Sequence, residues 1–466
     1  MTNMKKIVLI GIIASVATMG CRKIVEDAAP TTVQPPTTPG GGQAITLQGK
    51  IDKDTTLRAA NSYTLSGLVY ITNGATITIE PGTVIKGQYT DPVGGLVITR
   101  GAKIMAKGTV DKPIVFTSAS ATPRAGDWAG IVILGKARTN ASFNGQAGVG
   151  EIEGGINDAA GNGLYGGTED NDNSGVLQYV RIEYAGYAFL PDKEINSLTM
   201  GGVGSGTTID HIQVSYAKDD AYEWFGGTVN LKYLIAYKTT DDDFDTDNGY
   251  SGKVQFGLVV RDSSIADISK SEAMESDNDA NGSTNTPKTS AVFSNLTLIG
   301  PKATSNNKGN SNFLAAVQIR RNSSISIFNS VILGWPIGVL IDDTKGSATS
   351  LNVKDSSIRI RNTIIAGCEV AVKYAGTTAG ESDASVQSWF GNAFYANSTL
   401  STVDDARFVG PFNYNNPDYT PFGTSPAVSG AKFTDPLLAG MSQVTFRGAI
   451  ANAGADATWW KGWTRF

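Results

Sequence analysis

The chain has 466 residues, 54 of them glycine, with charged residues at only 17% and a formal net charge of −5. Abundant glycine and sparse charge exclude a protein built on long charged helices and suit many short strands and turns. The acidic balance argues against nucleic acid as a partner, because phosphates need a basic footprint.

Lys5 and Lys6 precede an apolar run from Ile7 to Ala17, followed by Thr18-Met19-Gly20-Cys21. A charged start, a short apolar stretch and small residues before a cleavage point read as a signal peptide over residues 1–20. Cys directly after Gly resembles a bacterial lipoprotein signal, in which Cys21 is lipidated and becomes the first mature residue. The apolar run is too short to span a bilayer, so the membrane is reached through the lipid anchor only. Residues 21–43 form a tether; its PTTVQPPTTPGGG stretch cannot bury a core. Glu26 and Asp27 close behind the lipidated Cys resemble the surface-export signals of Bacteroidetes lipoproteins. The expected location is the outer membrane, lipid-anchored and exposed at the cell surface. With Cys21 lipidated, Cys368 has no partner, and its apolar strand context marks it as a buried structural thiol.

Residues 44–412 read as an all-β, right-handed, single-stranded parallel β-helix. Ile209 to Gly227, IDHIQVSYAKDDAYEWFGG, aligns with Leu231 to Gly249, LKYLIAYKTTDDDFDTDNG. Asp219 falls on Asp241, Asp220 on Asp242, Tyr222 on Phe244 and Glu223 on Asp245, each 22 residues on (241 minus 219). A period in the low twenties, with an apolar strand and a Gly-rich turn per unit, is the pattern of a stacked β-solenoid. NSGVLQYVRIEYA also aligns with GSGTTIDHIQVSYA at a shift of 32, the extra residues falling in a loop. Residues 413–466 lose the periodicity and end in aromatics. Trp459, Trp460, Trp463 and Phe466 are expected to form a cap on the last coil, the alternative being a stacking platform for sugar rings.

SGVLQYVRIEYAG, DDAYEWFGGTVN, DDDFDTDNGYSGKVQFG, ESDNDANGSTNTPKTSAVFSN and FRGAIANAGADATWWKGWTRF together resemble a family of secreted Bacteroidetes β-helix proteins. The resemblance implies a pectin-lyase-like parallel β-helix and brings no established activity with it.

The repeat stacks acidic residues one coil above another. Asp219, Asp220, Glu223, Asp241, Asp242, Asp243, Asp245 and Asp247 lie in two successive turns. Stacked like charges repel unless neutralised, and a hard divalent cation such as Ca²⁺, which takes six to eight oxygens, would do so. A solvated acidic rim is the other reading. Asp277-Asn278-Asp279-Ala280-Asn281-Gly282 matches the opening of a calcium loop, with Asp277, Asp279 and Asn281 as the oxygen donors. Position twelve is Lys288 rather than Glu, and an Asx-rich turn explains the same letters. Asp170 to Gly175 matches more loosely. Trp224 and Phe225, flanked by charge, are expected to be exposed and to bind a sugar.

The single histidine, His211, aligns with Tyr179 and Tyr233, which makes it a rung position rather than a catalyst. It also removes His-clustered zinc from consideration. No catalytic constellation assembles from the sequence. The reading is a non-catalytic surface lipoprotein that binds cations or glycans, or serves an outer-membrane transporter. The alternatives are a calcium-dependent polysaccharide lyase or glycoside hydrolase, and a structural surface protein or adhesin.

Overall fold

The computed structural model describes residues 41–466 apart from 191–192, 305 and 308. The expected signal peptide, Cys21 and nearly all of the expected tether lie outside the described residues. From Ala44 to Leu400 successive strands stack in parallel as in a parallel β-helix. Among the described residues one sheet has 17 strands and the other 11. The 22-residue repeat is one coil: Ile209 lies beside Leu231, Tyr222 beside Phe244 and Glu223 beside Asp245. The shift of 32 is also one coil, with Val176 beside Thr208. The next coils place Met274 beside Phe244 and Val317 beside Met274, and their extra residues leave the stack as loops.

Alternation along each strand decides what enters the core. In the smaller sheet Leu198, Tyr222, Phe244, Met274 and Val317 stack inward, and all have zero exposure. Trp224 continues the neighbouring inward column below Met200. Each such aliphatic or Met side chain contributes about 1.5–3 kcal/mol through burial.

The larger sheet turns a corner in mid-strand. Within the strands Thr208–Ser215 and Asn230–Tyr237, His211 and Tyr233 adopt φ of 53° and 58°. Tyr179, Phe256, Asn295, Asn329 and Asn362 repeat this left-handed bend in neighbouring coils. Asn tolerates the left-handed region better than most residues. The aromatic positions gain stacking instead: His211 lies 4.3 Å from the Tyr179 ring and 4.4 Å from Tyr233, and Tyr233 lies 4.9 Å from Phe256. His211 is therefore one layer of a stacked corner, as its alignment with two tyrosines indicated.

The aromatic C-terminus corrects the expected cap. It runs back along the flank of the helix rather than across its last coil. Asp435 pairs with Arg359 and Arg361 at 2.7 and 2.8 Å. Further on, the Asn295 amide donates to the Phe446 carbonyl at 2.9 Å, and the Arg465 N–H donates to Gln213 at 2.9 Å. Trp463, fully buried, sets its edge on Tyr179 and His211. The reason lies in the strands beneath. Ile235, Leu258, Val331 and Ile364 belong to a second apolar cluster that includes Trp460 and Trp463, so this flank is apolar on both sides and needs a cover. The last strand of the smaller sheet, Val370–Ala375, is met instead by the helix Asp383–Phe390. Gln387 donates to the Val372 carbonyl, and Asp383 accepts the Tyr374 N–H.

Candidate functional site

The smaller sheet carries acid on its outward face. Thr199, Glu223, Asp245, Glu275 and Gln318 form one outward column in register. A second column stands in the turn just before these strands, where each side chain accepts the backbone N–H of the next coil. Asn196 accepts from Asp220 at 3.2 Å, Asp220 from Asp242 at 2.9 Å, and Asp242 from Glu272 at 2.7 Å. These bonds fix the carboxylates in orientation without adding any positive charge.

The two columns open into a cleft of about 420 Å³. Ten carboxylates line it: Glu153, Glu194, Asp219, Asp220, Glu223, Asp241, Asp242, Asp245, Glu272 and Glu275. Glu153 comes from the excursion before the strand Gly175–Glu183 and Glu194 from the one after it, and together they supply a wall. Two cationic side chains, Lys270 and Arg320, also line the cleft. Arg320 is already engaged by Glu275 and by Asp277 at 2.9 Å. Burial would lower its pKa, but Glu275 and Asp277 outweigh burial and hold it above its ordinary value.

Three sets of carboxylates bring their oxygens within 4.8 Å of one another: Asp219 with Asp220 and Asp241, Asp220 with Glu223 and Asp245, and Asp242 with Glu272 and Glu275. Two ionised oxygens at the 4.8 Å limit repel by about 3–4 kcal/mol at an effective dielectric of about 20. Desolvation by burial, reinforced by the neighbouring carboxylates, raises the pKa of every member. Asp241 and Glu272 rise to about 7, and Asp219, Asp220, Glu223, Asp242, Asp245 and Glu275 rise well above the carboxylate range. Glu272 Oε1 and Asp245 Oδ1 are buried with no hydrogen-bond partner. A buried acceptor left unmatched costs free energy and points to a missing donor or cation.

Six of the eight ladder carboxylates read from the sequence thus meet in one cleft, and two do not. Asp243 points into the helix, where Arg261 binds it at 3.0 Å with both side chains fully buried. Burial raises Asp243 to about 6 even against the pull of Arg261. Asp247 stands one position along, beyond the cleft lining. Burial and then Asp277 raise it to about 8, and it accepts the Asn248 N–H.

The loop 277–282 does not assemble as a calcium loop. Asp277 is spent on Arg320 and Arg321. Asp279 accepts the N–H groups of Asn281 and Ser283 at 2.9 and 3.1 Å, so it caps its own turn. Asn281 is exposed and meets Asp279 only through its backbone N–H. In the looser match Asp170 pairs with Arg138 and Asp172 accepts the Lys136 N–H.

Trp224 and Phe225 correct the expected sugar platform. Trp224 has zero exposure and stacks on Tyr250 at 5.3 Å; Phe225 is 8% exposed and packs against Tyr165. Strand alternation sends Trp224 inward with Tyr222, and the excursion before Gly175–Glu183 covers Phe225. Sequence reasoning missed Glu153, Glu194, Asn196, Glu272 and Glu275. Glu272 and Glu275 left a readable signal, since Glu272-Ala273-Met274-Glu275 repeats the pattern Asp242-Asp243-Phe244-Asp245 at an offset of 30.

Fold and cleft together define a parallel β-helix protein with a buried anionic groove on one sheet. Residues 49–405 match the family described as the pectate-lyase like beta helix domain, and the chain belongs to that family. No curated protein matches the chain.

Proposed function

We propose that this protein is a non-catalytic binding protein that holds divalent cations, calcium first, in the acidic cleft and presents them to a glycan or another cell-surface ligand. The observation that carries this reading is the pair of buried, unpartnered oxygens, Glu272 Oε1 and Asp245 Oδ1, among ten carboxylates. The donor set is all oxygen, which suits a hard cation and not zinc or copper. A cation offsets like-charge repulsion that the protein itself leaves uncompensated.

The lipid anchor at Cys21, the outer-membrane surface location and service to a neighbouring transporter belong to the same proposal. They rest on the N-terminal sequence pattern alone. A lyase would need a Lys or Arg base beside a bound cation. Arg320 is unsuited to that role, because Glu275 and Asp277 hold its proton more tightly.

Calorimetric titration of the purified protein with Ca²⁺ and with Mg²⁺ at about pH 7.5 tests the reading. Saturable calcium binding, weakened in Glu272→Gln, is expected, with Mg²⁺ weaker because it demands a tighter octahedral shell. Absence of binding by both ions would return the cleft to a protonated acidic rim.

A further inference from the structure

We propose that Asp220 bridges two cations in the cleft, and that a third cation is held separately by Asp242, Glu272 and Glu275. This rests on the cation reading above and adds the number of ions and their connection.

Four carboxylates surround Asp220, and the five together fall into two sets of three that share Asp220. The sets come from different columns of the helix. Asp219 and Asp241 belong to the turn. Glu223 and Asp245 belong to the outward face of the strands, paired in register. Asp220, in the turn column itself, has an oxygen within reach of both sets. Its Oδ1 accepts the Asp242 N–H at 2.9 Å, which fixes the carboxylate plane. A carboxylate offers about four lone-pair sites, so one amide and two ions can be accommodated together.

The charge count agrees. Two divalent ions face five carboxylates and compensate them to within one charge, and a third, together with Arg320 on Glu275, balances the remaining three. A single ion at Asp220 would leave one of the two sets unneutralised: Asp219 and Asp241 if it sat with Glu223, or Glu223 and Asp245, with Asp245 Oδ1 unmatched, if it sat with Asp219. Glu272 is 1% exposed, lines the cleft and keeps Oε1 without a partner, which marks the third position independently. Three carboxylates giving one oxygen each leave half or more of a calcium shell of six to eight oxygens open. The remaining positions face the open cleft, where water or the hydroxyl and carboxylate oxygens of a ligand would enter.

Calcium bound per chain is measured by equilibrium dialysis with metal analysis, on the wild type and on Asp220→Asn, Asp219→Asn, Asp245→Asn and Glu272→Gln. Three ions are expected in the wild type and one in Asp220→Asn. Two are expected in each of the other variants. In parallel the wild type is loaded with a mixture of Tb³⁺ and Eu³⁺, and energy transfer between them reports adjacent ions without any substitution. Transfer should persist in Glu272→Gln and weaken in Asp219→Asn, where the two ions left in the cleft no longer share a carboxylate. Loss of only one ion, or none, in a folded Asp220→Asn overturns the bridge. So does absence of energy transfer in a wild type that binds more than one ion, which keeps the test valid if Asp220→Asn fails to fold. A wild type that binds no ion at all defeats the cation reading itself.

Discussion

Two flanks of the same helix bury repeated residues and resolve them in opposite ways. On the corner flank the outward rungs Ile235, Leu258, Val331 and Ile364 are apolar, and the C-terminal strap covers them with Trp460 and Trp463. On the cleft flank the outward rungs are Glu223, Asp245 and Glu275, and the protein adds a carboxylate wall instead of a cover. The chain completes the first flank with its own residues. The second is left with unmatched oxygens and repelling charges, so it requires protons or cations from outside. The contrast also appears within one turn. Asp243 is given a buried Arg261, whereas Asp241 and Asp242, the two residues before it, face the cleft with no ion-pair partner.

The contrast can be broken at several points, with effects of decreasing size. Trp463→Ala removes a fully buried indole from the strap and should cost about 3–5 kcal/mol in urea unfolding, equally with calcium and with chelator. Arg261→Met leaves Asp243 buried and alone and should cost about 3–5 kcal/mol. Adding Asp243→Leu to that variant should restore much of the loss, because an apolar pair of similar volume replaces a buried ion pair at little cost. Calcium at about one hundred times its dissociation constant should add about 2.7 kcal/mol per site to the wild type. Asp220→Asn should show only a fraction of that gain.

The pH dependence of the calcium-free protein has a definite sign. Asp241 and Glu272 titrate near 7 in the folded protein, raised by burial from the ordinary carboxylate range. The folded state therefore holds protons that the unfolded chain has lost. The stability this gives is fully present below about pH 4 and disappears as the pH climbs through about 7, at most about 1.4 kcal/mol per pH unit for each group. Melting in chelator should fall from about pH 5 to about pH 8, and calcium should flatten the curve. The smallest effect belongs to His211→Tyr, which keeps a ring in the corner stack and should change stability by less than about 1.5 kcal/mol with no change in calcium binding.

Much of this was legible in the sequence where the coil length stays constant. The offset of 22 residues placed Asp219 to Asp245 in two adjacent rungs, and the structure keeps that register. Legibility failed where coils lengthen. Glu272 and Glu275 lie 30 residues beyond their partners Asp242 and Asp245, and Glu153 and Glu194 sit in two excursions outside the repeat, on either side of the strand Gly175–Glu183. Trp224 was misplaced because its flanking charges were weighed above alternation, although Tyr222 at the same parity was already matched to Phe244. The strap has no periodicity to read. Its only signal was indirect: runs such as Leu234-Ile235-Ala236-Tyr237 are apolar on both faces, so something had to cover the outer one.

The most direct measurement is a crystal structure of the protein soaked in calcium at about pH 7.5, with anomalous data to locate the ions. Ions about 2.3–2.6 Å from oxygens of Asp219, Asp220, Glu223, Asp241, Asp245 and Glu272 are expected, with Asp220 touching two of them. A cleft filled only with water, its carboxylates paired through shared protons, would contradict cation binding as the purpose of the acidic flank.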